Sequence, residues 1–308
     1  MSRCRSEARR QRKPLPGETR DPVRRTGLDP GFRRGGRTRL TIRLLVSDVD
    51  GTLVDKHKQL TPATIDAVAR LRGAGIAFTI ISARPRSGVM PIADALAIDG
   101  PIAAFNGGTI FRRDGWVGEQ HMIPAEVAHG VLDLAKDASV DTWVFADDRW
   151  YATTDQGAHV ASERIASNEA PILRTDFADL LDRADKISFV SDEPAVLADL
   201  MTRSKAAFGD RATIAQSQTY YLDVTATAAN KGAGIEALAA AIGVPLDDTA
   251  AIGDQHNDVP MLERAGLSIA MGNAPDAVKA VAREVTDAND ADGVAHAIDR
   301  YILDRGNT

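Results

Sequence analysis

One cysteine, Cys4, stands in a chain of 308 residues, so no disulfide can close within it and no cysteine-based metal site can be built. Cysteine this scarce fits a reducing compartment, and the expected location is the cytoplasm. Cys4 also lies in a polar stretch, which argues against a cysteine nucleophile. Long apolar runs are missing as well. None approaches the roughly 18 residues of a membrane span, and no apolar segment of the secretory kind is present near the start, so no membrane association is expected. His57, His121, His129, His159 and His296 lack metal-ligand spacing and read as ordinary surface or core residues.

What is present is the balance of a globular protein long enough for two domains, with 44% hydrophobic and 26% charged residues. The net charge of −6 hides an asymmetry. Residues 1–40 hold twelve Arg and Lys13 against Glu7, Glu18, Asp21 and Asp29, a balance of +9, which leaves −15 for the rest. An acidic body gives no support for nucleic-acid binding by the folded part. Residues 1–39 are rich in Arg, Pro and Gly and carry neither helical nor strand period, so they read as a disordered tail or an assigned start too far upstream. A targeting peptide or a tether is the other reading of that tail. Nothing in the sequence sets an oligomeric state.

From Leu40 onward the pattern becomes strand, helix, strand. Leu40, Ile42, Leu44, Leu45 and Val46 form an apolar run that ends at Asp48, as expected of a strand buried on both faces. Thr61-Pro62 reads as an N-cap followed by proline at the first helical position. Ile76 to Ile81 and Ile102 to Phe105 are two further buried strands, ending at Ser82 and Asn106. The middle differs: helical stretches near 124–138, 155–168 and 194–207 alternate with strand-like stretches near 140–146, 149–153, 186–191 and 211–225. The pair around Ala146-Asp147-Asp148 reads as a hairpin, and Trp143, Phe145, Trp150 and Tyr151 read as the core of that module. The first pattern then returns, with a helix from Lys231, strands ending at Gly253-Asp254 and Met271-Gly272-Asn273, and a last helix near 291–302. The expected fold is α/β: a doubly wound, mostly parallel sheet with an inserted α+β cap. Its expected segments are 40–117 and 219–308 for the core and 118–218 for the cap.

Four strand ends carry polar residues: Asp48 and Asp50, Ser82 and Arg84, Asn106, and Asp254 with Asn257 and Asp258. Ligands of open α/β sheets bind beyond the carboxyl ends of the strands, so the four sets should converge. Taken singly each is a turn or capping residue. Taken together, with Lys231 at a helix start, they suit phosphoryl transfer. Clustered carboxylates call for a cation, and hard oxygen donors point to Mg²⁺. One carboxylate of the pair can attack phosphorus while the other handles the leaving group's proton. To serve as an acid near neutral pH, Asp50 needs a pKa raised above the usual 3.9 or so. Gly51 permits close backbone approach, and the N–H groups that follow it, including that of Thr52, can hold phosphoryl oxygens.

Asp48-Val49-Asp50-Gly51-Thr52-Leu53 resembles the first motif of the haloacid dehalogenase superfamily. Ser82 after Thr79-Ile80-Ile81, Lys231 in Asn230-Lys231-Gly232, and Gly253-Asp254-Gln255-His256-Asn257-Asp258 are similar to the three motifs that follow. Ala270-Met271-Gly272-Asn273-Ala274 and Asp292-Gly293-Val294-Ala295 are similar to the Cof-type branch with a large inserted cap. The resemblance implies a phosphatase acting on a small phosphorylated metabolite, a sugar phosphate or phosphorylated cofactor, through an aspartyl-phosphate on Asp48. Asp50 would be acid and base, and Ser82 and Lys231 would hold the phosphoryl group. Asp48, the Asp50 carbonyl and Asp254 would ligate Mg²⁺, with Asp258 in support and Asn257 nearby. Asp50 separates this chain from dehalogenases, which lack a second carboxylate, and from P-type ATPases, which carry Lys-Thr-Gly after the nucleophile. Ser82-Ala83-Arg84 departs from the usual Thr-Gly-Arg but keeps the hydroxyl. Arg84 either contacts substrate or pairs with an acidic neighbour at the rim. A phosphomutase, or a binding protein on the same fold, is the alternative reading.

Overall fold

The computed structural model describes residues 41–304, so the tail reading of 1–39, and Leu40, lie outside the described residues. Five parallel strands form the central sheet, in the order β14 (Glu284–Val285), β13 (Leu267–Ala270), β12 (Thr249–Gly253), β1 (Leu44–Ser47), β2 (Ala77–Ile80). Strand β1 is wholly buried because helices cover both faces. Leu45 packs with α1 (Pro62–Gly73), whereas Leu44 and Val46 face Ile235 and Leu238 of the helix that starts at Lys231. Thr61 caps α1 as its sequence suggests, its hydroxyl accepting the Thr64 N–H at 3.2 Å. Strand order reverses beside β1: the chain moves from β1 to β2 on one side, and β12 to β14 return on the other. The crevice at that reversal opens at the carboxyl ends of the strands, where Asp48 and Asp254 follow β1 and β12.

The third expected strand differs in kind. Strand β3 (Ile102–Ala104) touches the parallel sheet only through an Ile81–Ala103 bridge. It otherwise pairs antiparallel with β4 (Thr109–Phe111), which pairs with β5 (Val117–Gln120). Phe105 is not a strand residue: it and Asn106 take left-handed backbone (φ 49° and 59°), which ends β3 and turns the chain back.

The cap sheet has six strands in the order β10 (Ala212–Gln218), β11 (Tyr221–Ala226), β9 (Ala184–Val190), β6 (Asp141–Ala146), β7 (Arg149–Ala152), β8 (Ile172–Leu173). Residues 211–225, read as one strand-like stretch, are two strands of a hairpin. Strand β11 is bonded to both β9 and β10, so the cap sheet runs on to Ala226, past the return to the core expected at 219. Alternation splits this sheet into two faces. Val144, Ile187, Phe189, Leu222 and Val224 bury against α3 (Ala125–Ala135) and α5 (Pro194–Phe208). Trp143, Phe145 and Trp150 turn toward the core domain, where the Phe145 ring meets Phe105 edge-on at 6.0 Å. Tyr151, on the other face, packs with the α3 and α5 cluster.

A helix α4 (Val160–Ser167) joins cap to core, lying against α2 (Arg86–Ala95). It is shorter than the 155–168 expected, and Asn168, at φ 55°, ends it. The approach is close enough that a Cβ on Gly88 would sit 2.0 Å from the Ala166 carbonyl oxygen. The last helix is a short α turn, Gly293–Ala297, continued by a π-helical segment, Ile298–Leu303. No described helix is long and apolar enough to cross a membrane.

Candidate active site

The site begins with an apolar strand that delivers a carboxylate into a buried place. Asp48 follows β1 directly and is 5% exposed. Lys231 opens α6 (Lys231–Ile242), whose N-terminus is capped by the Asn230 side chain accepting the Ala233 N–H at 3.0 Å. The fully buried Lys231 ammonium donates to Asp48 and, at 2.6 Å, to Asp258. Asp258 in turn accepts the main-chain N–H groups of Asp254 and Gln255 through its second oxygen, each at 2.8 Å. That carboxylate thus ties Lys231 to the turn after β12.

Asp48, Asp254 and Asp258 bring carboxylate oxygens within 4.8 Å of one another, all buried. One ammonium shared by three carboxylates leaves the cluster short of positive charge. Burial pushes the Asp48 carboxyl well above the usual carboxylate range, with Asp258 and Asp254 adding to the effect against the attraction of Lys231. Burial, then Asp258, pushes Asp254 up to about 6. The Lys231 ammonium is held above its ordinary value because Asp258 and Asp48 outweigh its burial. A buried all-oxygen donor set that is costly without a counter-charge fits a hard divalent cation. Three further groups position Asp254: the Thr52 hydroxyl donates to it at 3.1 Å, the Gln255 amide at 3.2 Å and the Asn273 amide at 3.3 Å. Gly51, at φ 80°, lets the backbone pass so close that a Cβ there would lie 2.4 Å from an Asp254 oxygen.

The Asp50 carboxylate stands apart from that cluster. Arg84 grips it with Nε at 2.7 Å and Nη2 at 2.8 Å, and Lys58 reaches it at 2.5 Å. Burial raises the Asp50 carboxyl, but the hydrogen bonds and charges of Arg84 and then Lys58 overcome it and hold the group well below the usual range. The raised pKa expected of an acid is therefore not found, because two cations face one anion. Arg84 itself is 6% exposed, which places it inside the site rather than at a rim.

The other expected residues fall into three groups. Ser82, almost fully buried, and exposed Asn257 line a cavity with Asp48, Asp50 and Arg84. Thr52 has its hydroxyl on Asp254 and its N–H on the Val49 carbonyl at 3.3 Å, so both groups are engaged within the loop. Asn106 lies outside the cavity wall. Its carboxamide oxygen accepts from Asn257 at 3.2 Å and its main-chain N–H donates to the Ser82 carbonyl at 2.7 Å, so it braces the Ser82 loop.

Sequence reasoning placed specificity on the cap face but named none of its residues, and it gave no site role to Lys58 or Asn273. Lys58 carried no signal, because a lone lysine in a polar loop is ordinary; only its left-handed backbone (φ 62°) turns it back onto Asp50. The cap contributes Glu163 from α4, Lys186 from β9 and Asp223 from β11. A lysine in β9 and an aspartate in β11, each beside buried apolar residues, were the legible hint.

Residues 45–298 match the family model described as haloacid dehalogenase-like hydrolase. The chain is 31% identical to the HMP-PP phosphatase of Escherichia fergusonii over 77% of its own length and 87% of that protein. It is 27% identical to the pyridoxal phosphate phosphatase YbhA of Escherichia coli, over 86% of this chain and all of that one. A crystal structure of a haloacid dehalogenase-like hydrolase from Bacteroides thetaiotaomicron superposes with a TM-score of 0.78 at 27% identity, covering 84% of this chain and 99% of that one.

Proposed function

Because the chain belongs to the haloacid dehalogenase-like hydrolase family and is a phosphatase of it, we propose that it hydrolyses small phosphorylated metabolites with Mg²⁺, through a phosphorylated Asp48. The observation that carries this reading is the convergence of Asp48, Lys231, Asp254 and Asp258 at one buried point from three separate stretches of chain.

An Asp48 oxygen attacks phosphorus in line with the leaving oxygen. The bond from phosphorus to that oxygen breaks, the leaving alcohol takes a proton from Asp50, and an acyl phosphate remains on Asp48. Water then attacks phosphorus and gives a proton to Asp50. The Asp48–phosphorus bond breaks, and inorganic phosphate departs. Asp50 as found is an anion, which is the form the second half needs. For the first half it must carry a proton, and incoming phosphoryl oxygens serve that by drawing Arg84 and Lys58 away from it. Lys231 and the Ser82 hydroxyl hold the transferring oxygens, and Asn257 guards the same wall. Mg²⁺ held by Asp48 and Asp254, with the Asp50 carbonyl and Asp258 in support, would neutralise charge on the phosphoryl oxygens.

The test is phosphate release from an aryl phosphate, with and without Mg²⁺, by the wild-type chain and Asp48→Asn. Release that needs both Mg²⁺ and Asp48 supports the reading. Release that persists in Asp48→Asn removes the nucleophile from it.

A further inference from the structure

The cavity of about 120 Å³ at Asp48 has a second wall, made by the cap, and that wall holds three buried ionisable side chains. Glu163, Lys186 and Asp223 are 6%, 7% and 8% exposed. Burying a charge is costly unless it is paired and hydrogen-bonded. Among the described residues, neither the Glu163 carboxyl nor the Lys186 ammonium has a hydrogen-bond or ion-pair partner, and neither is fully enclosed: both open onto the cavity. Asp223 has one partner, the Ser188 hydroxyl at 2.6 Å on one oxygen, and its other oxygen has none.

Topology puts the three together. Ser188 pairs with Asp223 and Lys186 with Thr225 across β9 and β11, so Lys186, Ser188 and Asp223 share one face of the cap sheet. Phe145 pairs with Lys186 on that face, and the ammonium lies 4.3 Å from the centre of its ring. Glu163 enters from α4, near enough for the charges of Lys186 and Asp223 to act on it. All three side chains line the cavity that Asp48 and Asp50 line from the other side.

We propose that Glu163, Lys186 and Asp223 are the specificity residues of this enzyme and that they select a leaving group bearing neighbouring hydroxyl groups, a phosphorylated polyol or open-chain sugar. The inference rests on the phosphatase reading of Asp48. A hydroxyl donates to a carboxylate and accepts from an ammonium at once, so a row of hydroxyls satisfies both signs of charge on this wall. A protonated amine has no lone pair with which to accept from Lys186. A second phosphate or a carboxylate would meet Glu163 and Asp223. A flat aromatic alcohol, whose few polar atoms are fixed in the plane of its ring, would leave a buried polar group of this wall unpaired. Sites built to hydrogen-bond a substrate hydroxyl reject analogues that lack it strongly, because their own polar groups are then stranded.

Steady-state kinetics of the full chain with Mg²⁺ on glucitol 6-phosphate and hexyl phosphate isolate the hydroxyls, since the two share a six-carbon chain. Pyridoxal 5′-phosphate serves as the aromatic alternative. Glucitol 6-phosphate is expected to exceed hexyl phosphate in kcat/KM by about 10² or more. The near-isosteric variants Lys186→Met and Asp223→Asn should each lower that ratio at least about tenfold, mostly through KM for the polyol. A wild-type ratio near one, or a preference for pyridoxal 5′-phosphate over the polyol, overturns the assignment without any variant. So does a ratio unchanged in both variants. Absence of phosphate release from all three esters, with an aryl phosphate still hydrolysed, overturns this inference alone; absence from the aryl phosphate as well overturns the phosphatase reading, and this inference with it.

Discussion

Arg84 holds the carboxylate of Asp50 through two parallel N–H bonds, Nε at 2.7 Å and Nη2 at 2.8 Å. A planar fork on a carboxylate is stronger and more directional than a point charge, and lysine does not reproduce it. Arg84→Lys should therefore lower kcat/KM for an aryl phosphate by about 10–10². Because Arg84 is the main group that lowers the Asp50 pKa, its loss should also raise that pKa and shift the acid limb of the kcat profile to higher pH. An acid limb that stays in place would show that Asp50 does not set it.

Asp48 illustrates a site that costs stability. Its carboxyl is pushed up by burial and by two neighbouring carboxylates, so the ionised form is unfavourable in the folded chain without metal. Asp48→Asn should abolish turnover and, in EDTA at neutral pH, melt higher than wild type. Thermal melts of the two proteins check this; a lower melting temperature for the variant would contradict the charge reading.

Divalent metal should act on stability as well as on rate. Mg²⁺ at a hundredfold its Kd stabilises the folded state by about 2.7 kcal/mol. Asp254→Asn should lose that rise in Tm together with activity, since Asp254 is a member of the carboxylate cluster. Equal melting of wild type in EDTA and in excess Mg²⁺ would remove the metal from the cluster.

Gly88 is a test of how cap and core are joined. A methyl group there would meet the Ala166 carbonyl, a backbone atom of α4 that cannot swing aside. Gly88→Ala should cost about 1–3 kcal/mol in stability and raise KM, because α4 also carries Glu163. Gly73→Ala, where nothing lies within 4 Å, is the control and should stabilise by up to about 1 kcal/mol. Urea unfolding of both variants gives the comparison.

Glu163 sets a pH dependence whose sign follows from its environment. Burial pushes its carboxyl up to about 7, against the attraction of Lys186, with Asp223 and Asp50 adding to the rise and Arg84 opposing it. The folded chain therefore holds a proton that the unfolded chain releases near pH 4.5, and this group's stabilisation is present at low pH and lost as pH rises through about 7. The change is on the order of 3 kcal/mol across that window. Glu163→Gln should flatten the fall of Tm between pH 5 and pH 8, and parallel curves for the two proteins would refute the assignment.

The core of the site was legible because its elements obey local rules. Apolar runs buried on both faces mark β1 and β12, and the polar residue after each must then sit at a sheet edge, so Asp48 and Asp254 could be placed beside one another. Phe105 was misread as strand because its side chain is apolar, while its left-handed backbone answers to the packing of Gly107 against α6. The hairpin of β10 and β11 was hidden because its turn, Thr219-Tyr220, carries no glycine or proline to mark it.

By itself the sequence determined the strand that ends at Asp48 and the order of the motifs, because these depend on neighbours a few residues away. Only the tertiary structure decided the state of Asp50. Its acid role asked for a raised pKa, yet Arg84, 34 residues on, and Lys58, eight residues on, fold onto it and hold it ionised. It also decided that Glu163, Lys186 and Asp223, from one helix and two strands, share a wall. Distances between charges set both outcomes, and such distances come from packing rather than from spacing along the chain.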